Sequence, residues 1–203
     1  MTTYLPGFYV AFGAVERALA RAHKIPPKAL PAFRARLGAL QKAGVLGAKN
    51  MPGKGQALHY GPDEFHRLIF ACEMLELGLA PSVIIGLVKS MWTRRLRKIF
   101  ETAAAALVHH DAGPDDVIMH FGGVHLLGDA LADAVPAVNA CSLRDLPGNI
   151  SMWMTMMPDD PAGLPPRAIV INLSMRLRAF HRALAASYLD DLRAEGRAHR
   201  KKK

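Results

Sequence analysis

Up to about residue 109 the apolar positions of this chain recur every three or four residues; beyond residue 114 they bunch into short runs between Gly, Pro and Asp. The first pattern predicts helices and the second predicts short strands. A first helix is expected over residues 8–23, with Val10, Ala14, Leu19 and Ala22 as an imperfect apolar stripe, ended by Pro26 and Pro27. The next spans residues 28–43, where Leu30, Phe33, Leu37 and Leu40 share one face. Its opposite face carries Lys28, Ala32, Ala35, Ala39 and Lys42, flanked by Arg34 and Arg36, so it is basic and nearly free of bulk. Gly44 stands where a helix C-terminus is expected. The run Lys49, Asn50, Met51, Pro52, Gly53, Lys54, Gly55 signals a chain reversal, with residues 56–60 as its return strand.

Gly61, Pro62, Asp63 and Glu64 open a further helix, buried through Phe65, Leu68, Ile69, Cys72 and Leu75 and ended by Gly78. A long helix follows over residues 82–109, with Ile85, Val88, Trp92, Leu96, Ile99, Ala103 and Ala106 close to a heptad seam. It is either a linker or dimerising helix, or a core helix buried under the C-terminal half. Ala112, Gly113 and Pro114 break it. Strands are expected over residues 117–121, 138–143, 149–156 and 168–173, a helix over 124–134, a loop over 158–166 and a closing helix over 175–192 with Leu177, Phe180, Leu184 and Tyr188 on its apolar side.

The fold class is thus α+β. Residues 1–80 form an N-terminal winged helix-turn-helix, residues 81–111 a long connecting helix, residues 112–192 an α+β domain with a small sheet of about four strands, and residues 193–203 a basic disordered tail.

Charge sharpens this division. The net charge of +9 splits into +8 over residues 1–60, +1 over 61–110, −4 over 111–190 and +4 over the remainder. A basic N-terminal module joined to an acidic one is the footprint of a nucleic-acid binder with a second task. No apolar run reaches the roughly 18 residues of a membrane span, and the N-terminus lacks the pattern of a signal peptide. Cys72 and Cys141 lie far apart in apolar settings, which fits two buried thiols in a reducing cytoplasm.

Three phrases between residues 15 and 88 resemble the DNA-binding domain of MerR-type winged-helix regulators. Leu40 to Leu46, ending Gly44, Val45, Leu46, resembles the end of that family's recognition helix. Tyr60, Gly61, Pro62, Asp63, Glu64 and Phe65 resemble the start of the helix after its wing, and Leu77, Gly78, Leu79, Ala80, Pro81 and Ile84 its link to the next helix. The resemblance implies a recognition helix followed by a wing. Where the family carries an Arg and paired aromatics, this chain has Gly38, Ala39 and Leu40, so those contacts do not transfer; it also lacks the cysteines that metal-sensing members place after the long helix.

Other candidate sites have simpler structural readings. His109, His110, Asp111, Asp115, Asp116 and His120 have zinc-binding chemistry, but the segment crosses a Gly-Pro break. Met152, Met154, Met156 and Met157 around Trp153 could line an apolar pocket; a plain core face of a strand is the simpler reading. Ser174 is read as a helix N-cap rather than a nucleophile. No nucleotide-binding or metalloprotease motif is present, and neither enzyme activity nor a cofactor is expected.

The expected function is a cytoplasmic, nucleoid-associated transcriptional regulator that binds double-stranded DNA sequence-specifically as a homodimer on a symmetric operator. Lys28, Arg34, Arg36, Gln41 and Lys42 would reach bases or phosphates from the recognition helix, and Lys49 and Lys54 would hold the flanking backbone from the wing. Residues 112–192 leave room for a small-molecule or protein effector. The alternatives are an architectural or recombination-directionality factor of a mobile element, and a ligand- or partner-binding protein with a basic RNA-binding half.

Overall fold

A computed structural model describes residues 9–47, 59–108, 113–122, 137–156 and 168–200. The chain is α+β, with helices around two small antiparallel sheets. Its described residues form two compact units, one of residues 9–74 with 178–200 and the other of Leu75–Leu177. The boundaries fall inside two helices. Neither lies at the Gly113–Pro114 break where the sequence suggested one, because the long helix of residues 81–108 and the later sheet share one core.

In the first unit, β1 (Val10–Ala11) leads into α1 (Phe12–Ala22), and a 3-10 turn (Pro27–Ala29) leads into α2 (Leu30–Lys42). β2 (His59–Tyr60) pairs antiparallel with β1, and α3 (Pro62–Glu76) follows it. Both α1 and α2 end in the same backbone motif, in which the amides of the two residues after the cap return to carbonyls of the last turn. After α2, Gly44 N–H donates to Gln41 O and Val45 N–H to Leu40 O, with Gly44 at φ +90°. After α1, Lys24 takes the left-handed position at φ +52°, and Ile25 N–H donates to Ala20 O.

The second unit is built on a three-stranded sheet of order β4 (Ala137–Ser142), β3 (Val117–Gly122), β5 (Ala168–Asn172), antiparallel throughout. Val117 pairs with Ser142, and Ile118 with both Cys141 and Asn172. Residues 117–121 of the central strand are all buried, which explains why the run is apolar but for His120. The long helix lies against this sheet as α4 (Pro81–Met91), a π-helical turn (Trp92–Leu96) and α5 (Arg97–Ala105), closed by a 3-10 turn at Ala106–Val108. In the π turn Arg97 N–H donates to Trp92 O, five residues back. That wide turn rotates the later residues, so Phe100 is fully buried and the expected seam residue Ile99 is half-exposed. Arg95 ties the same turn to β4 through Val138 O (2.9 Å) and Asn139 Oδ1 (3.1 Å).

Three expectations need correction. Residues 149–156 are not a strand but most of α6 (Leu146–Met156). Met is a good helix former without a β-branch, and Pro147 is tolerated in the first turn. Ile150 and Met152 are exposed there, so they form no core face. Residues 193–200 are not a disordered tail but the continuation of the closing helix α7 (Leu173–Arg200). Ser174 is not its cap: Asn172 Oδ1 accepts from Met175 N–H (2.8 Å), while the buried Ser174 hydroxyl accepts from Val117 N–H (2.9 Å). The helix expected over 124–134 and the loop over 158–166 lie outside the described residues. Both cysteines are free thiols; burial, with Asp145 nearby, pushes the Cys141 thiol above its ordinary value.

Candidate nucleic-acid interface

α2 separates its two faces as its sequence requires. Leu37 and Leu40 are fully buried, while Ala32, Ala35, Arg36, Ala39 and Lys42 are exposed, and Lys28 is exposed in the turn before the helix. The outward surface is a strip of methyl groups edged by cations. A strip without bulky side chains lets a helix backbone approach the floor of a DNA major groove.

α1 holds α2 through a buried acid. Glu16 is 8% exposed and accepts a hydrogen bond from Arg34 Nε, whose side chain otherwise remains 59% exposed. Arg34 therefore braces the two helices as well as presenting charge. Gln41 has a similar double position, since its Nε2 donates to the phenolic oxygen of Tyr60. Tyr60 is fully buried, with the Phe12 ring 5.8 Å away. Burial pushes its phenol far above the ordinary value and Glu64 adds to this, against the smaller opposing effect of the Gln41 hydrogen bond. The phenol stays protonated.

This arrangement builds the foot of the segment that carries Lys49 and Lys54, which both lie outside the described residues. On one side, Gly47 sits at φ +87°, with Arg67 Nη1 3.1 Å from where a Cβ would stand. Arg67 is itself held by Asp63 at 2.8 Å. On the other side, the β1–β2 pair and Tyr60 fix the returning chain, and Glu64 Oε2 accepts from Gly61 N–H at 2.9 Å to cap α3. Asp63 and Glu64, legible in the sequence as first-turn acids, thus act through specific partners. The β1 pairing gave no sequence signal, because two residues are too few to show a period.

The last part of α7 also belongs to this unit. Phe180 stacks on Phe65 with ring centroids 5.6 Å apart, and His181 meets Phe65 edge-on at 6.2 Å. Farther along, Arg21 Nη2 donates to Asp190 at 2.6 Å, and Arg17 pairs with Asp191. Arg21 holds the Asp190 carboxyl below its ordinary range, chiefly by that hydrogen bond. These partners were missed from sequence because some 170 residues separate them.

Of the residues with zinc-binding chemistry, the described ones have structural duties. Asp115 is a surface partner of Arg144 (3.2 Å), the buried Asp116 accepts from Asn172 Nδ2 (3.3 Å), and His120 is buried in β3, where desolvation lowers its pKa. His109, His110 and Asp111 lie outside the described residues, as does Met157. Among the described residues no group of three His, Cys, Asp or Glu is placed to hold a metal ion. Nor is any described helix long and apolar enough to cross a membrane. No protein-family model matches the chain, and no curated protein matches its sequence.

Proposed function

We propose that this protein is a sequence-specific DNA-binding transcriptional regulator, cytoplasmic and nucleoid-associated, that acts as a homodimer on a symmetric operator. The observation that carries the reading is the outer face of α2: exposed Ala32, Ala35 and Ala39 between exposed Arg36, Lys28 and Lys42, on a helix anchored from behind by Leu37 and Leu40. α1 and α2 then serve as the helix-turn-helix, and the segment footed on Tyr60 and Gly47 as the wing. The resemblance of residues 15–88 to MerR-type regulators supports the same frame.

In this reading Arg36 and Lys42 carry the groove contacts from α2, and Lys28 meets phosphate where the helix begins. Arg34 contributes charge from its bracing position, while Gln41 serves the wing foot more than the DNA. Lys49 and Lys54 meet the backbone from the wing. The long helix buries Trp92, Leu96 and Phe100 inside its own unit, so subunit pairing uses another surface. Genome-wide DNA occupancy tests the proposal: discrete sites sharing an inverted repeat support it, and occupancy no different from a non-binding control contradicts it.

A further inference from the structure

Residues 193–203 hold six Lys or Arg against one acid, Glu195. As a free tail they would be an ordinary solvated charge run. Two observations change that. α7 continues as helix to Arg200. Its preceding turn is fastened to α1 by Arg21–Asp190 and Arg17–Asp191, and the stretch from Arg178 onward belongs to the same compact unit as α1 and α2.

Two acids of this helix are already engaged. Asp190 and Asp191 are occupied by arginines of α1, with Arg193 3.7 Å from Asp190 on its other side. Past them, positions 193, 197 and 200 are all Arg, at spacings of four and three that place them on one face of a helix. The Arg193 side chain is 70% exposed. At 1.5 Å per residue the stretch from 193 to 200 spans roughly 10 Å past the clamped turn. In helix-turn-helix complexes the first helix crosses the DNA backbone, and α1 is the helix to which this basic extension is pinned.

We infer that the end of α7 is a second phosphate-gripping element, in which Arg193, Arg197 and Arg200 hold the DNA backbone beside the groove entered by α2. The inference rests on the DNA-binding reading of the first unit. Contacts of this kind add affinity on every sequence and carry none of the base readout.

The test uses the full-length chain and compares wild type with two triple variants at these positions, one with all three Arg→Gln and one with all three Arg→Lys. The probe is a labelled random-sequence duplex, with an operator duplex in parallel, titrated from low to high salt. Each lost phosphate contact lowers the slope of log K against log salt by about 0.9. The Gln variant is expected to lose about 2–3 units of slope and to weaken by the same factor on both duplexes, whereas the Lys variant keeps the wild-type slope. A Gln variant with unchanged slope overturns the inference while leaving the function standing. Loss in the Lys variant as well overturns it by showing a structural role. Wild type that binds neither duplex at low salt overturns the function itself, and the inference with it.

Discussion

Gln41 on α2 donates a hydrogen bond to the buried hydroxyl of Tyr60, the residue where the chain returns from the candidate wing. The bond couples the helix that would read bases to the segment that would hold the backbone. Tyr60→Phe removes it and leaves the ring in place. The expected cost is about 1 kcal/mol, read as a lower urea midpoint at unchanged m-value. DNA affinity should fall with it, mainly through the wing. Unaltered stability would show that Gln41 and Tyr60 do not depend on each other.

Arg34 and Arg36 lie two residues apart, and the structure predicts that they behave differently. Arg36→Ala is expected to leave the unfolding midpoint within about 0.5 kcal/mol of wild type while weakening DNA binding. Arg34→Ala also strips the buried Glu16 carboxylate of its partner. Because Arg34 is more than half exposed, solvent screening discounts the pair, and the expected loss is about 1–2 kcal/mol. Denaturation and binding measured on the same two variants separate these roles; equal stability of the two would contradict the bracing role of Arg34.

Lys24 holds a left-handed backbone at φ +52° after α1, a conformation that suits glycine. Lys24→Gly is expected to raise stability by about 0.5–1 kcal/mol, net of the extra freedom glycine brings to the unfolded chain. Thermal unfolding reads the change.

Stability should also fall in mild acid. Desolvation pushes the pKa of the buried His66 from 6.5 down to about 3, with the charge of His181 acting in the same direction and that of Asp63 opposing it. Burial lowers His181 in the same direction. Between 6.5 and these lower folded values the unfolded chain binds more protons than the folded one, so stability is whole above about 6.5 and drops as pH falls. Each histidine contributes up to about 1.4 kcal/mol per pH unit in that window. Urea midpoints at pH 7.5, 6.5, 5.5 and 4.5 check this, and His66→Gln should flatten the slope.

Much of the fold was legible because local rules agreed with burial. Leu37 and Leu40 face inward, Gly44 ends α2, and Gly61 to Glu64 open α3 where their spacing and chemistry put them. The alternating Met152, Met154 and Met156 mimic a strand's period of two, but Met favours a helix, and the stretch folds as part of α6. The long seam drifted because one π turn shifted Phe100 into the place of Ile99. In the candidate site, the basic face of α2 could be read from spacing alone. The ties from Arg34 to Glu16, Gln41 to Tyr60 and α1 to α7 could not, since side-chain partners distant in sequence leave no periodic trace.

The most direct measurement is selection from a randomised duplex pool by the full-length protein, repeated with the Arg36→Ala/Lys42→Ala variant. The account predicts that wild type enriches a single inverted-repeat motif, and that the variant binds the pool weakly without enriching it. A wild-type selection no richer in any motif than the starting pool would contradict the claim that α2 reads DNA.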